Sequence, residues 1–124
     1  MVEPVSWWKH IKFFKPEEFL CRCCNEQYME KDFVLRLDML RGRMNTPVIV
    51  QSGYRCEKHD RYVGGKGNHT TGRAVDISMD GKTAYKILPY LSMIGFTGIG
   101  VGIRQGFIHL DDLTKNPRPN IWSY

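Results

Sequence analysis

Apolar residues recur along this chain at two different periods, and each period predicts its own kind of element. Between Glu30 and Met44, the residues Phe33, Leu37, Leu40 and Met44 stand four, three and four positions apart, with Arg36, Asp38, Arg41 and Arg43 between them. That is the stripe of an amphipathic helix with a charged outer face. Pro47 ends it, and Val48-Ile49-Val50-Gln51 reads as a short strand. Arg73 to Met79 contains the alternation Ala74-Val75-Asp76-Ile77, the mark of a half-buried strand. Lys82 to Met93 predicts a helix interrupted at Pro89. Phe96 to Val101 and Gly106 to Leu110 read as paired strands around the turn Arg104-Gln105-Gly106. Ahead of all these, Lys15-Pro16-Glu17-Glu18-Phe19-Leu20 has proline near a first helical turn with acids behind it, a short helix start. Residues 52–69, SGYRCEKHDRYVGGKGNH, show neither period and predict a long polar loop. Loops of that length in compact domains usually carry function. Helices and strands mix without regular alternation, so the expected class is α+β: one small domain over residues 1–124, a mostly antiparallel sheet with flanking helices.

A chain of 124 residues buries about two thirds of its unfolded surface and folds as one unit. Its ordinary composition and lack of repeats exclude a disordered or solenoid protein. The formal charge of +5 fits an anionic partner, whether nucleic acid, an anionic membrane surface or a polyanionic cell-wall polymer. Lys and Arg are scattered rather than blocked, and no aromatic-basic stacking stripe is visible, so neither a nucleic-acid nor a membrane partner is expected. Glu3, Pro4 and the charges that follow break any continuous apolar leader, and no run approaches the roughly 20 apolar residues of a membrane span. A soluble monomer, cytoplasmic as synthesised, is the expectation.

Candidate chemistry changes the picture more than composition does. His69 closes the glycine loop, Asp76 lies inside a strand, and His109 lies inside GFIHLDD. Taken singly, each has an ordinary structural role as a hydrogen-bonded histidine or a turn cap. Taken together, two imidazoles and a carboxylate with a fourth position open are a catalytic zinc set, and a buried Asp76 needs such a cation. Strand alternation puts Asp111 on the face of His109 and Asp112 on the opposite one. Cys21, Cys23, Cys24 and the remote Cys56 fit free thiols, a labile bridge or a structural metal. Read as successive pairs, Cys21-Cys23 and Cys23-Cys24 lack the two-residue spacing of zinc sites, which ranks free thiols first.

SGYRC at 52–56, VGG at 63–65, NHTTGRAVDI at 68–77 and GFIHLDD at 106–112 resemble, in order and spacing, the motifs of the zinc D-Ala-D-Ala carboxypeptidase and endopeptidase family, the M15 peptidases. FKPEEFLCRC near the start and RPNIWSY at the end are similar to its short single-domain bacterial and phage members. The segment from His69 to Ile77 also resembles the zinc site of Hedgehog signalling domains, which share that fold.

The resemblance implies His69, Asp76 and His109 as Zn2+ ligands and Arg55 as the residue that holds a substrate carboxylate or stabilises an oxyanion. Ser52 would position Arg55 or contact the peptide, and His59 would bind substrate or protonate the leaving amine. Many relatives carry an acid three residues before the last histidine ligand, where this chain has Gly106. Asp111 is then the best remaining carboxylate for a general base, with support of His109 as its equal alternative. The implied activity is hydrolysis of a peptide bond in peptidoglycan, as a D-Ala-D-Ala carboxypeptidase or an endopeptidase, with phage-type lysis the first expectation: an endolysin released by a holin or carried in a virion. The alternative is a catalytically inactive zinc-stabilised binding module of the same fold.

Overall fold

The computed structural model describes residues 6–124; Glu3 and Pro4, on which part of the leader reading rests, lie outside them. Two elements bury the predicted stripes. Helix α1, Lys31–Arg43, sinks Phe33, Val34, Leu37 and Leu40 completely, and helix α3, Gly81–Ile94, buries Ile87, Leu91 and Ile94. Asp80 caps α3 by accepting from the Thr83 amide at 2.7 Å. The expected interruption at Pro89 does not occur, and the helix runs through it to Gly95. Pro89 lies on the exposed side near Tyr85 and Met93, where water can serve the carbonyl that loses its partner.

The strands are β1 (Val50–Ser52), β2 (Ala74–Ser78), β3 (Gly98–Gly102), β4 (Phe107–Asp111) and β5 (Asn120–Ser123). They form one sheet in the order β1-β2-β4-β3-β5, antiparallel except for the parallel pair β3–β5. The α+β class is as expected. β5 went unforeseen, and so did a short helix α2, Glu57–Tyr62, inside the stretch expected to be loop. Strand alternation sends Val75, Ile77, Ile108 and Leu110 into the core with α1 and α3, where burial of each large side chain contributes about 1.5–3 kcal/mol. The alternate residues Asp76, Phe107, His109 and Asp111 belong to the other face. At the N-terminal end, the amides of Lys12 and Phe13 donate to the Asp38 carboxylate of α1, which fastens the incoming chain to the helix.

No helix among the described residues is long and apolar enough to cross a membrane.

Candidate metal centre and cleft

The site grows out of one row of the sheet. Ser52 pairs with Asp76, Asp76 with His109, His109 with Gly100, and Gly100 with Trp122, so register alone aligns residues from all five strands. Gly100 has no side chain because Trp122 and Tyr124 lie over it; an added Cβ would stand 2.7 Å from the Trp122 indole nitrogen. Gly98, two pairs along on the same face, leaves the room that the Asp111 carboxylate occupies. His69 comes from a 3-10 turn, Asn68–Thr71, and Gly72 at φ 73° turns the chain from there into β2.

His69, Asp76 and His109 converge. Their ligand-type atoms all lie within 4.8 Å of one another. Asp76 Oδ1 stands 3.0 Å from His109 Nδ1 and 3.4 Å from His69 Nε2. These match the edge of about 3.3 Å between two donors each about 2.0–2.1 Å from a tetrahedral zinc. Each imidazole is held from behind. His69 Nδ1 lies 2.9 Å from the Gly53 carbonyl oxygen, and His109 Nε2 lies 2.7 Å from Asp111 Oδ2. Both acceptors assign the ring proton to the outer nitrogen and leave the inner lone pair aimed at the shared point. The residues therefore fit a divalent cation. In its absence, the electrostatics show strong mutual dependence. Burial pushes the Asp76 carboxyl up, but hydrogen bonds with His109 and His69 outweigh it and hold the group well below the usual carboxylate range. Burial pulls the His109 imidazole down, and the Asp111 and Asp76 carboxylates reverse that and raise it.

Around this point opens a cleft of about 870 Å³, lined by Arg55, Lys66, His69, Asp76, His109, Arg118, Trp122 and Tyr124 among others. Arg55 is fixed from three directions: Nε donates to Ser52 Oγ at 3.1 Å, Nη1 to Asp60 Oδ1 at 3.1 Å and Nη2 to Asp76 Oδ2 at 3.4 Å. Of the five N–H groups on a guanidinium, two remain for a ligand in the cleft. Asp60, buried in α2, also accepts from the Gly67 amide at 2.9 Å, so one carboxylate ties the Arg55 side chain to the glycine loop.

Not every residue singled out in the sequence meets the cleft. Ser52 does not line it but accepts from Arg55. His59 sits in the last turn of α2 against a separate cavity with Cys23, Lys58, Arg61 and Tyr62. Asp111, expected as a general base, is fully buried behind His109 rather than in front of it. Its oxygens accept from Arg118 Nε at 2.9 Å and Nη2 at 2.8 Å as well as facing His109. Burial raises the Asp111 carboxyl, yet His109 and Arg118 bring it down to about 2. Buried there, Asp111 is placed to orient the His109 ring, and it does not line the cleft. Asp112 does point away, to Arg36 and Arg73.

Several cleft residues escaped the sequence reading. Arg118, Trp122 and Tyr124 come from the C-terminal segment, where the Arg118 guanidinium lies 4.8 Å over the Trp122 ring and the ring centroid lies 5.3 Å from that of His109. The alternation Ile121-Trp122-Ser123-Tyr124, short as it is, was the signal that could have revealed them.

A sheet that presents two histidines and an aspartate at the floor of a cleft, each ring oriented from behind, fits the metal-dependent enzymes, hydrolases among them. The chain belongs to the Peptidase M15 family, whose model matches residues 12–111, and it is a peptidase-family domain with candidate metal-binding groups. That match ends at Asp111, so Arg118, Trp122 and Tyr124 lie beyond it. No curated protein matches the chain.

Proposed function

We propose that this protein is a zinc-dependent peptidase that cleaves a peptide bond in peptidoglycan, as a D-Ala-D-Ala carboxypeptidase or as an endopeptidase on the stem peptide or cross-link. The observation that carries it is the inward aim of His69 Nε2 and His109 Nδ1 at Asp76 Oδ1, with the outer nitrogens already engaged. His69, Asp76 and His109 would hold the ion. When bound, zinc supplies a Lewis acid that polarises the scissile carbonyl and makes the attacking water more acidic. Arg55 offers its two free N–H groups to a substrate carboxylate or to the developing oxyanion while its other contacts keep it from swinging away. Lys66 adds a cationic group to the cleft lining, which suits peptides carrying free carboxylates. Trp122 forms an apolar wall beside His109.

A second reading has its own support. Among the described residues that line the cleft, the only carboxylate is Asp76, itself a ligand candidate, so no separate acid stands ready as a general base. That favours a binding module that keeps the ion and lacks turnover. Zinc-loaded protein incubated with purified peptidoglycan and defined muropeptides, with products identified by mass spectrometry, separates the two. Release of D-Ala or of a new amino terminus, lost in His109→Ala, supports the peptidase and names its bond. Intact substrate from folded, zinc-loaded protein overturns it in favour of the binding module.

A further inference from the structure

Thiols gather at the other end of the Arg55 segment, away from the His/Asp row. Cys21, Cys24 and Cys56 bring their sulfurs within 4.8 Å of one another, and Cys23 adjoins them, its amide donating to Cys21 Sγ. The pairwise reading of the sequence overlooked that Cys21 and Cys24 stand two residues apart, the spacing of a zinc knuckle, with Cys23 as one of the two between them. The backbone here folds into a tight turn. The Cys21 amide donates to the Glu26 carbonyl at 2.8 Å, the Asn25 amide donates to the Cys21 carbonyl at 2.8 Å, and Asn25 takes a left-handed φ of 59°.

Backbone amides also point at two of the sulfurs. Cys21 Sγ accepts from the amides of Cys23 and Cys56, each at 3.4 Å, and Cys56 Sγ accepts from the His59 amide at 3.4 Å as the N-cap of α2. A disulfide would consume only two of the three clustered sulfurs and leave the third unpaired. A thiophilic cation consumes all of them.

We propose that Cys21, Cys24 and Cys56 form a second, structural zinc site, with Cys23 as the fourth thiolate. Four sulfurs in tetrahedral array are the donor set that zinc prefers and that magnesium, calcium and manganese do not. The site clamps the turn after Leu20 to the first residue before α2, and therefore holds the neighbour of Arg55 and the helix that carries Asp60.

The test is metal analysis and cobalt substitution of the purified full chain, and it does not depend on peptidase activity. Thiolates give cobalt a near-ultraviolet charge-transfer band that histidine and aspartate cannot give. The wild type should hold about two zinc equivalents and show the band with cobalt. His69→Ala/His109→Ala should keep about one equivalent and the band, and Cys24→Ser should lose the band and one equivalent. A folded wild type with no band overturns the proposal, whether its thiols prove freely alkylated or their mass reveals a disulfide. Because the wild-type spectrum decides first, a cysteine variant that fails to fold does not remove the test.

Discussion

Replacing Arg118 with Met tests how the centre is held from behind. Arg118 is nearly buried, with its side chain 9% exposed, and it grips an Asp111 carboxylate that is 0% exposed. Methionine keeps the bulk of the stem but removes the charge and both hydrogen bonds. Asp111 would retain only His109 and the Leu113 amide at 3.3 Å. Removing one partner from a buried ion pair costs about 3–5 kcal/mol, because the other charge stays uncompensated. Loss of guanidinium stacking on Trp122 adds up to about 1 kcal/mol. For 124 residues at about 2.1 cal/mol/K each, the unfolding entropy is about 0.26 kcal/mol/K, so the expected fall in Tm is about 10–20 °C.

Thermal denaturation of chelator-treated protein, followed by circular dichroism, reads that fall without a contribution from metal linkage. Arg118→Met/Asp111→Asn should recover much of the loss, since a neutral amide needs no counter-charge and still accepts from His109. A single variant within about 1 kcal/mol of wild type would refute the buried-pair account. A double variant no better than the single would assign the loss to the packing of Arg118 instead.

Arg55→Lys should lower kcat/KM on muropeptides by about 100-fold with metal content unchanged, because a lysine cannot engage Ser52, Asp60 and Asp76 at once and still face the cleft; steady-state kinetics beside metal analysis checks it. Gly72→Ala should destabilise by more than about 2 kcal/mol in urea unfolding, since φ is 73° and the added Cβ would overlap the Tyr28 carbonyl oxygen. The raised His109 predicts a pH dependence of opposite sign with and without metal. A raised group contributes stability that is fully present below the unfolded value of 6.5 and lost as pH climbs through its folded value. Metal-free protein should therefore lose Tm as pH climbs above about 6.5, whereas zinc-loaded protein should gain, because protons no longer compete for the ligands.

The metal-type residues were legible because their sequence context was local: Asp76 interrupts an apolar alternation, and His109 sits two residues from Asp111 on a strand. The roles of Asp111 and Arg55 were less legible because they depend on distant partners. Arg118 follows a turn and meets Asp111 from outside the strand, which turns a carboxylate on the site face into a buried one. α2 was hidden because Glu57-Lys58-His59-Asp60-Arg61-Tyr62 carries no apolar period; its start is set by the Cys56 cap and its interior contact by Asp60. β5 was hidden because four residues after two prolines gain their strand geometry only from pairing with β3, more than fifteen residues earlier in the chain. Pro89 misled for the converse reason: a local rule against helix interiors is relaxed where the freed carbonyl can reach water.

The two walls of the cleft are held by different physics, and this has consequences for how they fail. His69, Asp76 and His109 are aligned by strand register and by hydrogen bonds that the imidazoles donate to Gly53 and Asp111, a rigid arrangement that leaves little freedom to the candidate ligands. Arg55 belongs to a connecting segment and owes its position to Asp60, Ser52 and the turn that the thiols hold. Damage to the sheet row should therefore appear first as lost metal at the His/Asp centre. Loosening of the thiol cluster should leave that metal in place and appear as a raised KM, because the group that would receive the substrate carboxylate is no longer held still. A cysteine variant that instead released the metal from the His/Asp centre would show that the two walls form one cooperative unit.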